Sequence, residues 1–513
     1  MPEGFGDGEL SDAAPLTDAA PELAPPRPVL EFDIAAADLP RLLRSPALAA
    51  RRGGRTRSTA LRTVWHDTAA GKLASKGLAI AEQGGTWRLE KLQPNGSGDW
   101  PPATPAPRLA EAAAAELLRP DLAEALLPVA AFTGRCRSFP LLSAGAPARL
   151  DVLEGALRGV AHDQPACRLV FSGPPGAMAA LAVELDAQVR LQVPRSGLAA
   201  GAIAVAHEQT APARQLGTPQ VPPGLNLSDA MSMVIGHLAD VILHWLPLAH
   251  AGTAPEPVHQ SRVAVRRLRS ALAIFRRATP DAPFATLAAE LKELATRLGA
   301  ARDWDVFLGD TGEAVKLAFA GDKRVAALLA AATRKRAAAY ANLNSYLRGD
   351  GWHLLSLRIA LLPTVRPWQE TQDAAQLALL AAPAADFAVT ALRRQRKRVL
   401  AAGEDFATLA PAALHEVRKQ AKKLRYGSEF FTPLFAAKPV RRFVEKLVDL
   451  QEALGAVNDG AVAAALMAEL AGGADRAFAL GVVQGYVAAI GAPAACEAAR
   501  AWRKFTQASP YWE

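Results

Sequence analysis

Two segments of this 513-residue chain concentrate the side chains best able to do chemistry. Val258-His-Gln-Ser-Arg-Val-Ala-Val-Arg-Arg-Leu-Arg269 matches Leu414-His-Glu-Val-Arg-Lys-Gln-Ala-Lys-Lys-Leu-Arg425, which aligns His259 with His415 at an offset of 415 − 259 = 156. Leu298-Gly-Ala-Ala-Arg-Asp303 and Leu454-Gly-Ala-Val-Asn-Asp459 repeat that offset, 459 − 303 = 156. Two independent matches at one offset indicate a duplicated unit and tell which residues are equivalent. Wound at about 100° per residue, the first segment sorts into an apolar stripe of Val265, Leu268, Leu272 and Phe275 and an adjoining face of His259, Arg262, Arg266 and Arg269, extended by Arg276 and Arg277. In the second copy Val417, Leu424 and Phe431 face inward while His415, Arg418, Lys422 and Arg425 line the basic face; Arg267, Lys423 and Lys419 stand further round. Like charges this close repel by about 0.2–0.5 kcal/mol per pair unless an anion sits among them. Only Glu256, Glu416 and Glu429 fall in or beside the two segments, too few to neutralise both stripes. The chemistry that fits is anion binding, with the twinned histidines sharing the arginine face.

Metal chemistry fits poorly, because neither histidine has a second histidine or a carboxylate at i+3 or i+4 on that face. Asp303 and Asp459 follow their Leu-Gly pairs at what reads as a helix terminus, and suit a cap or an ion pair that orients the arginines. Arg334-Lys-Arg336 and Arg393-Arg-Gln-Arg-Lys-Arg398 offer further charge, with Arg393, Arg396 and Lys397 on one face as a possible additional basic surface.

These two H-x-x-R-x-x-x-[RK]-[RK]-L-R segments, with Gly299-Ala-Ala-Arg-Asp-Trp-Asp305 and Leu450-Gln-Glu-Ala-Leu-Gly-Ala-Val-Asn-Asp459, resemble the CHAD family, named for its histidine-containing α-helical domain. The resemblance covers residues ~225–505. It implies two pseudo-symmetric four-helix bundles whose basic helices face each other across a groove that binds inorganic polyphosphate and can direct proteins to polyphosphate granules. It further implies that His259, Arg262, Arg266, Arg267, Arg269, His415, Arg418, Lys419, Lys422, Lys423 and Arg425 contact the polyanion. Arginine forks suit phosphate oxygens, lysines act as point charges, and a linear polyanion releases counterions on entering a cationic channel. Nucleic acid is disfavoured as the polyanion, because Tyr426 alone interleaves these faces with an aromatic ring.

The elements that must carry these residues divide the chain in two. Half of the residues are apolar, 21% are charged and 6% are aromatic, which is globular composition. The formal charge is +8. Up to residue 220 there are 22 basic and 23 acidic residues (net −1); beyond it 58 − 22 = 36 basic and 50 − 23 = 27 acidic (net +9). The basic character therefore belongs to the second half, whose long helical periods read as all-α over 225–513, with repeats at about 225–350 and 380–505 and breaks near Pro280, Gly321, Gly351–Pro367, Pro411 and Pro439. Residues 1–28, with six carboxylates against Arg27, read as a disordered leader rather than a signal peptide. Residues 29–208 read as an α+β domain with strands at Thr59–His66, Leu78–Ala81, Thr86–Leu92 and Ala148–Leu153 and helices at Arg108–Leu127 and Gly176–Leu191, followed by a Pro-rich linker over 209–224. Ala477–Cys496 is 20 residues without charge but holds Gln484, Tyr486 and Pro493, so a buried soluble helix is expected there and no membrane. Cys136, Cys167 and Cys496 are too scattered for a disulfide framework or a thiolate zinc site, which suits a reducing cytosol.

The first half resembles a CYTH domain, the triphosphate tunnel fold, over residues ~29–205. Arg62-Thr-Val-Trp-His-Asp-Thr68, Lys72-Leu-Ala-Ser-Lys-Gly-Leu-Ala79 and Trp87-Arg-Leu-Glu-Lys91 are similar to successive strands of that antiparallel tunnel. The family's E-x-E-x-K opening is here Glu31-Phe-Asp-Ile-Ala35; Leu78-Ala-Ile-Ala-Glu-Gln83 lacks its cations, and Cys167-Arg-Leu-Val-Phe171 lacks its carboxylates. With Glu31 and Asp33 left as weak metal candidates, the domain reads as degenerate and catalytically silent. The expectation is a cytoplasmic, non-enzymatic polyphosphate-binding protein without a cofactor; the alternative is a metal-dependent triphosphatase or polyphosphate-processing enzyme.

Overall fold

A computed structural model of the chain describes residues 28–92, 103–104, 126–143, 146–159, 161–209, 217–249, 254–279, 281–470 and 474–513. The leader except Pro28, most of the linker, and the helix expected at Arg108–Leu127 as far as Ala125 lie outside them; Leu126 and Leu127 open a strand instead.

The first half is a curled antiparallel sheet of seven strands: β1 (Pro28–Asp33), β2 (Arg57–Thr68), β3 (Leu78–Gln83), β4 (Thr86–Lys91), β5 (Leu126–Leu141), β6 (Ala148–Leu157) and β7 (Gln164–Ser172), in the order β1-β7-β6-β5-β2-β3-β4. Three expected strands fall within β2, β3 and β6, each of which runs on further, and the fourth, Thr86–Leu92, overruns β4 by one residue. Between β5 and β6, Gly134 faces Gly155 in register. A Cβ on either would lie 2.2–2.3 Å from a carbonyl oxygen of the partner strand, so only glycine permits this approach. Helices α1 (Leu39–Leu43), α2 (Pro46–Ala50) and α3 (Pro175–Asp186) cover one face. There Phe32, Leu150, Leu169 and Phe171 pack on Leu181 and Leu185, all fully buried. Helix α3 ends five residues short of the expected Leu191, which instead follows an irregular segment that bridges back to β1 through Asp33 and Gln192. Helix α4 (Leu198–Ala206) lies over Phe132 and Leu157.

The second half is helical: α5 (Leu227–Leu248), α6 (Glu256–Phe275), α7 (Asp281–Val306), α8 (Glu313–Ala318), α9 (Lys323–Arg348), α10 (Asp350–Val365), α11 (Ala374–Ala381), α12 (Ala384–Ala402), α13 (Pro411–Phe431), α14 (Ala437–Leu470) and α15 (Ala474–Thr506). The repeat is visible in the element starts: α12 follows α5 by 384 − 227 = 157, α13 follows α6 by 411 − 256 = 155, and α14 follows α7 by 437 − 281 = 156. A π-helical segment, Phe307–Gly312, extends α7 into α8.

Asn226 caps α5 by accepting the Asp229 N–H at 2.8 Å, and Pro383 precedes α12 at the equivalent place. The two caps also meet: Leu227 N–H donates to Ala382 O and Ala384 N–H to Leu225 O, each at 2.9 Å. Val265, Leu268, Phe275, Val417, Leu424 and Phe431 are all fully buried in one core that runs through both repeats, as their periodicity implies. The equivalent rings Phe275 and Phe431 meet edge to face at 6.3 Å.

Three expectations shift. Residues 351–363, read as part of a break, lie inside α10, because Gly351 falls in its first turn and Pro363 in its last. The Leu-Gly pairs lie inside α7 and α14 rather than at helix ends. Ala477–Cys496 is helical within α15, yet only 20% of the apolar stretch there is buried. Its alanines and glycines carry little apolar area, so leaving them uncovered costs little. By length and composition alone, the described residues include three helices apolar enough to cross a membrane, within Leu227–Leu248, Ala437–Leu470 and Arg476–Thr506.

The halves share a seam: Leu357, Ala360 and Leu361 of α10 join the core beneath the sheet, and His353 Nε2 lies 2.8 Å from the Asp186 carboxylate.

Candidate anion-binding site

Helices α6 and α13 pack against each other, and each begins with a proline in its first turn, which starts a helix without wasting an N–H. Their apolar stripes sink into the core and bring the two basic faces together. Beside them α7 and α14 complete a cavity of about 310 Å³ lined by His259, Arg262, Arg266, Arg302, Asp303, Arg418, Asn458 and Asp459, with Phe307 and Leu466 among its apolar walls.

The two copies hold their first arginine differently. Arg262 Nη1 donates to Asp303 Oδ1 at 2.6 Å and reaches Gly299 O at 3.4 Å. Its equivalent Arg418 lies against Gly455, where a Cβ would stand 3.4 Å from Arg418 Nη2. Arg418 Nε is buried without an acceptor, and no ion pair to Arg418 is present among the described residues. In both copies the guanidinium thus lies against the motif's glycine, and in the first the aspartate one turn on pairs with it.

Arg266 and its equivalent Lys422 sit deeper, and neither has an ion pair among the described residues. Burial, and then Arg266, Arg418 and Arg262, push the Lys422 ammonium down to about 6; Asp459 only partly opposes them. Burial also lowers Arg418 and Arg266 from the usual guanidinium range. His259 is lowered by burial and then by Arg302, so its neutral form is favoured. Cations crowded this closely and partly out of water form a site prepared for negative charge.

Not every residue of the two segments joins it. His415 is exposed and its Nδ1 lies 2.5 Å from Asn458 Oδ1 at the rim. Arg267 and Arg425 share Glu429, at 3.2 and 3.4 Å, and flank the buried ring of Tyr426 at 5.6 Å each. Lys419 pairs with Glu416 at 2.6 Å in solvent. Arg269 and Lys423 lie together outside the cavity, in reach of Arg398. The surface expected from Arg393, Arg396 and Lys397 is only partly free: Arg396 Nη2 donates to Thr506 O and Ala508 O, and Arg393 stands 3.9 Å from Glu513. In the Arg334–Arg336 cluster, Lys335 pairs with Glu469 and Arg336 with the buried Asp305 at 2.6 Å.

Among the cavity residues that went unnoticed as candidates, besides Asp310 and Thr311, are Arg302 and Asn458. They are equivalent by the same offset, 458 − 302 = 156, each one residue before the motif aspartate.

In the sheet, Glu31 and Asp33 are claimed by a partner from β7. Arg168 donates to both Asp33 oxygens at 2.8 and 3.1 Å and to Ser196 O at 3.2 Å, with Glu31 Oε2 at 3.5 Å from its Nη1. Arg168 and Glu31 are 7% and 5% exposed. Burial opposes the charge of Arg168, but Glu31 and then Asp33 outweigh it and hold the guanidinium above its usual range. Among the described residues no cluster of three or more histidine, cysteine or acidic side chains is arranged to hold a metal.

Comparison with known proteins adds a family. The CHAD domain model matches residues 233–468. Seven solved chains are similar, among them the crystal structure of the CHAD domain from the plant Ricinus communis, 28% identical over 57% of this chain and 96% of that one, with a TM-score of 0.49. PptA from Streptomyces chartreusis is 18% identical over 54% of this chain and 100% of that one, with a TM-score of 0.42. No curated protein matches the chain. The helical half, with its paired basic faces, therefore contains a CHAD domain at residues 233–468.

Proposed function

We propose that this protein binds inorganic polyphosphate through the facing basic helices α6 and α13, without catalysing a reaction, and associates with polyphosphate granules in the cytoplasm. The observation that carries the reading is the crowding of Arg266, Arg418 and Lys422, partly buried and without an ion pair among the described residues, beside a cavity that Arg262, Arg266 and Arg418 line. CHAD is a family linked to polyphosphate binding. A chain of phosphates would supply the missing charge at every one of these positions, and its release of counterions would drive entry. Nucleic acid fits less well, since Tyr426 is packed between two guanidiniums rather than offered to a base. On the same reading the sheet domain is a silent relative of the triphosphate tunnel, in which Arg168 stands among Glu31 and Asp33 where a metal would be held.

The test is long-chain polyphosphate binding across a salt series. We expect log affinity to fall linearly with log salt, and Arg262→Ala, Arg266→Ala, Arg418→Ala and Lys422→Ala together to weaken binding at least about 100-fold at low salt. Unchanged binding by that variant would sink the site. Metal-dependent phosphate release from tripolyphosphate, abolished by Glu31→Ala, would overturn the silent reading of the first domain. Tagged chains, whole and as residues 225–513, are expected to form foci only in cells that contain granules.

A further inference from the structure

We propose a second anion-binding groove, between α6 and α12, where Arg277, Arg394 and Arg398 take phosphates of the same long polyphosphate chain that occupies the α6–α13 cavity. The identity of the anion rests on the reading above; the groove rests on other residues. Arg394 and Arg398 stand one helical turn apart on α12 and face Arg277, in the single turn that follows α6, across a shallow cleft of about 40 Å³, floored by Ile274 and Phe387. All three arginines are exposed, and among the described residues none is ion-paired with a carboxylate. Arg398 Nη1 reaches only as far as the neutral Gln395 Oε1, at 3.5 Å. Burial, and then Arg398, Arg277 and Arg276, lower Arg394 from the usual guanidinium range, so these cations feel one another.

The groove connects to the cavity through charge. Lys423 of α13 sits in the field of Arg398 and Arg269, with Glu416 as its one acidic neighbour, and Arg269 in turn acts on Arg266. From the groove towards the cavity, Arg398, Lys423, Arg269 and Arg266 thus act on one another in succession. Arg277 lies eleven residues beyond Arg266, on the order of 16 Å along the helix at a rise of ~1.5 Å per residue. A tripolyphosphate held in the cavity is too short to reach it, whereas a long chain is not. The groove would make the protein prefer long chains by adding contacts on one continuous ligand.

The experiment compares polyphosphate of several hundred units with tripolyphosphate, each titrated across a salt series against the full chain and the Arg277→Ala/Arg394→Ala/Arg398→Ala variant. We expect the variant to lose about tenfold in affinity for the long chain, with a log–log salt slope smaller by about 2, and to bind tripolyphosphate unchanged. Unchanged long-chain affinity and slope overturn the groove. So do equal losses for both ligands, because the variant would then act through the cavity, and so does a loss confined to a DNA duplex of matched charge, which assigns the groove to nucleic acid. The fourfold cavity variant separates the two readings: full long-chain affinity in that variant removes the cavity, while the triple variant still reports on the groove.

Discussion

Two of the buried charge clusters among the described residues, one in each half, are built to opposite ends. Arg168 meets two carboxylates across β1 and β7, so the sheet domain closes its charge with its own residues. Among the four cations gathered where α6 meets α13, Arg262 has an ion pair, with Asp303, while Arg266, Arg418 and Lys422 crowd together without one among the described residues. The first arrangement is complete as it stands; the second is complete only when an anion enters. Charge number alone would not separate them, since each cluster holds arginine beside acid. What separates them is whether the buried charges find partners within the chain.

The sharpest break of this contrast is Arg168→Ala, which strands Glu31 and Asp33. Chemical denaturation should show the sheet domain destabilised by about 3–5 kcal/mol, and adding Glu31→Gln and Asp33→Asn should recover part of the loss. No destabilisation would mean the cluster is not what closes the first domain. In the helical half the same kind of deletion should act in reverse. Lys422→Met removes a partly buried amine whose charged form the fold disfavours and should stabilise the ligand-free protein by about 1–2 kcal/mol while weakening polyphosphate binding; a lower melting temperature in the absence of anion would contradict the crowding.

The acid–base behaviour of Lys422 refines this. Its folded pKa of about 6 lies below that of an unfolded lysine, so between the two the unfolded chain binds more protons. Ligand-free stability should therefore rise with pH from about 6 towards the ordinary lysine range, and fall to a floor below about 6. Polyphosphate restores the charged form, so binding near neutral pH should take up a proton, readable as a buffer-dependent heat, and affinity should strengthen as pH falls towards 6. Lys422→Met should abolish both trends. The smallest effect is expected of Asp303→Asn, which frees Arg262 from its ion pair and should tighten polyphosphate binding two- to fivefold; weaker binding would show that Asp303 orients the arginine rather than competing for it.

Much of the helical half was legible because a duplication writes the same constraints twice. Leu268 and Leu424 mark one face, His259 and His415 the other, and the offset that pairs them also pairs the helix starts to within a residue. The limits were tertiary. Glu429 serves Arg267 from another helix and Arg425 from its own, so only the packing of α6 on α13 shows that these two cations are occupied. On α12, spacing put Arg393, Arg396 and Lys397 on one face, but the return of the chain at Thr506 and Ala508 engages Arg396 and leaves Arg394 and Arg398 as the open pair. Arg168 looked like the loss of a carboxylate on its strand. Its meaning as a partner for Asp33, 135 residues away, comes from the β1–β7 register. Residues 351–363 misled for a local reason: Gly351 falls in the first turn of α10, and Pro363 forfeits one hydrogen bond so near the end that the helix runs on only to Val365.

The caps of α5 and α12 carry one more consequence. Leu227 donates to Ala382 and Ala384 donates to Leu225, and because 227 corresponds to 384 and 225 to 382, each copy gives the other what it receives. Such a join is isologous, the kind made by two identical subunits about a twofold axis. A chain holding only one copy already carries both halves of the exchange. Expressed alone, it should pair with itself, so the present protein amounts to a homodimer whose subunits have been tied into one polypeptide and then left free to diverge, as Arg266 and Lys422 have.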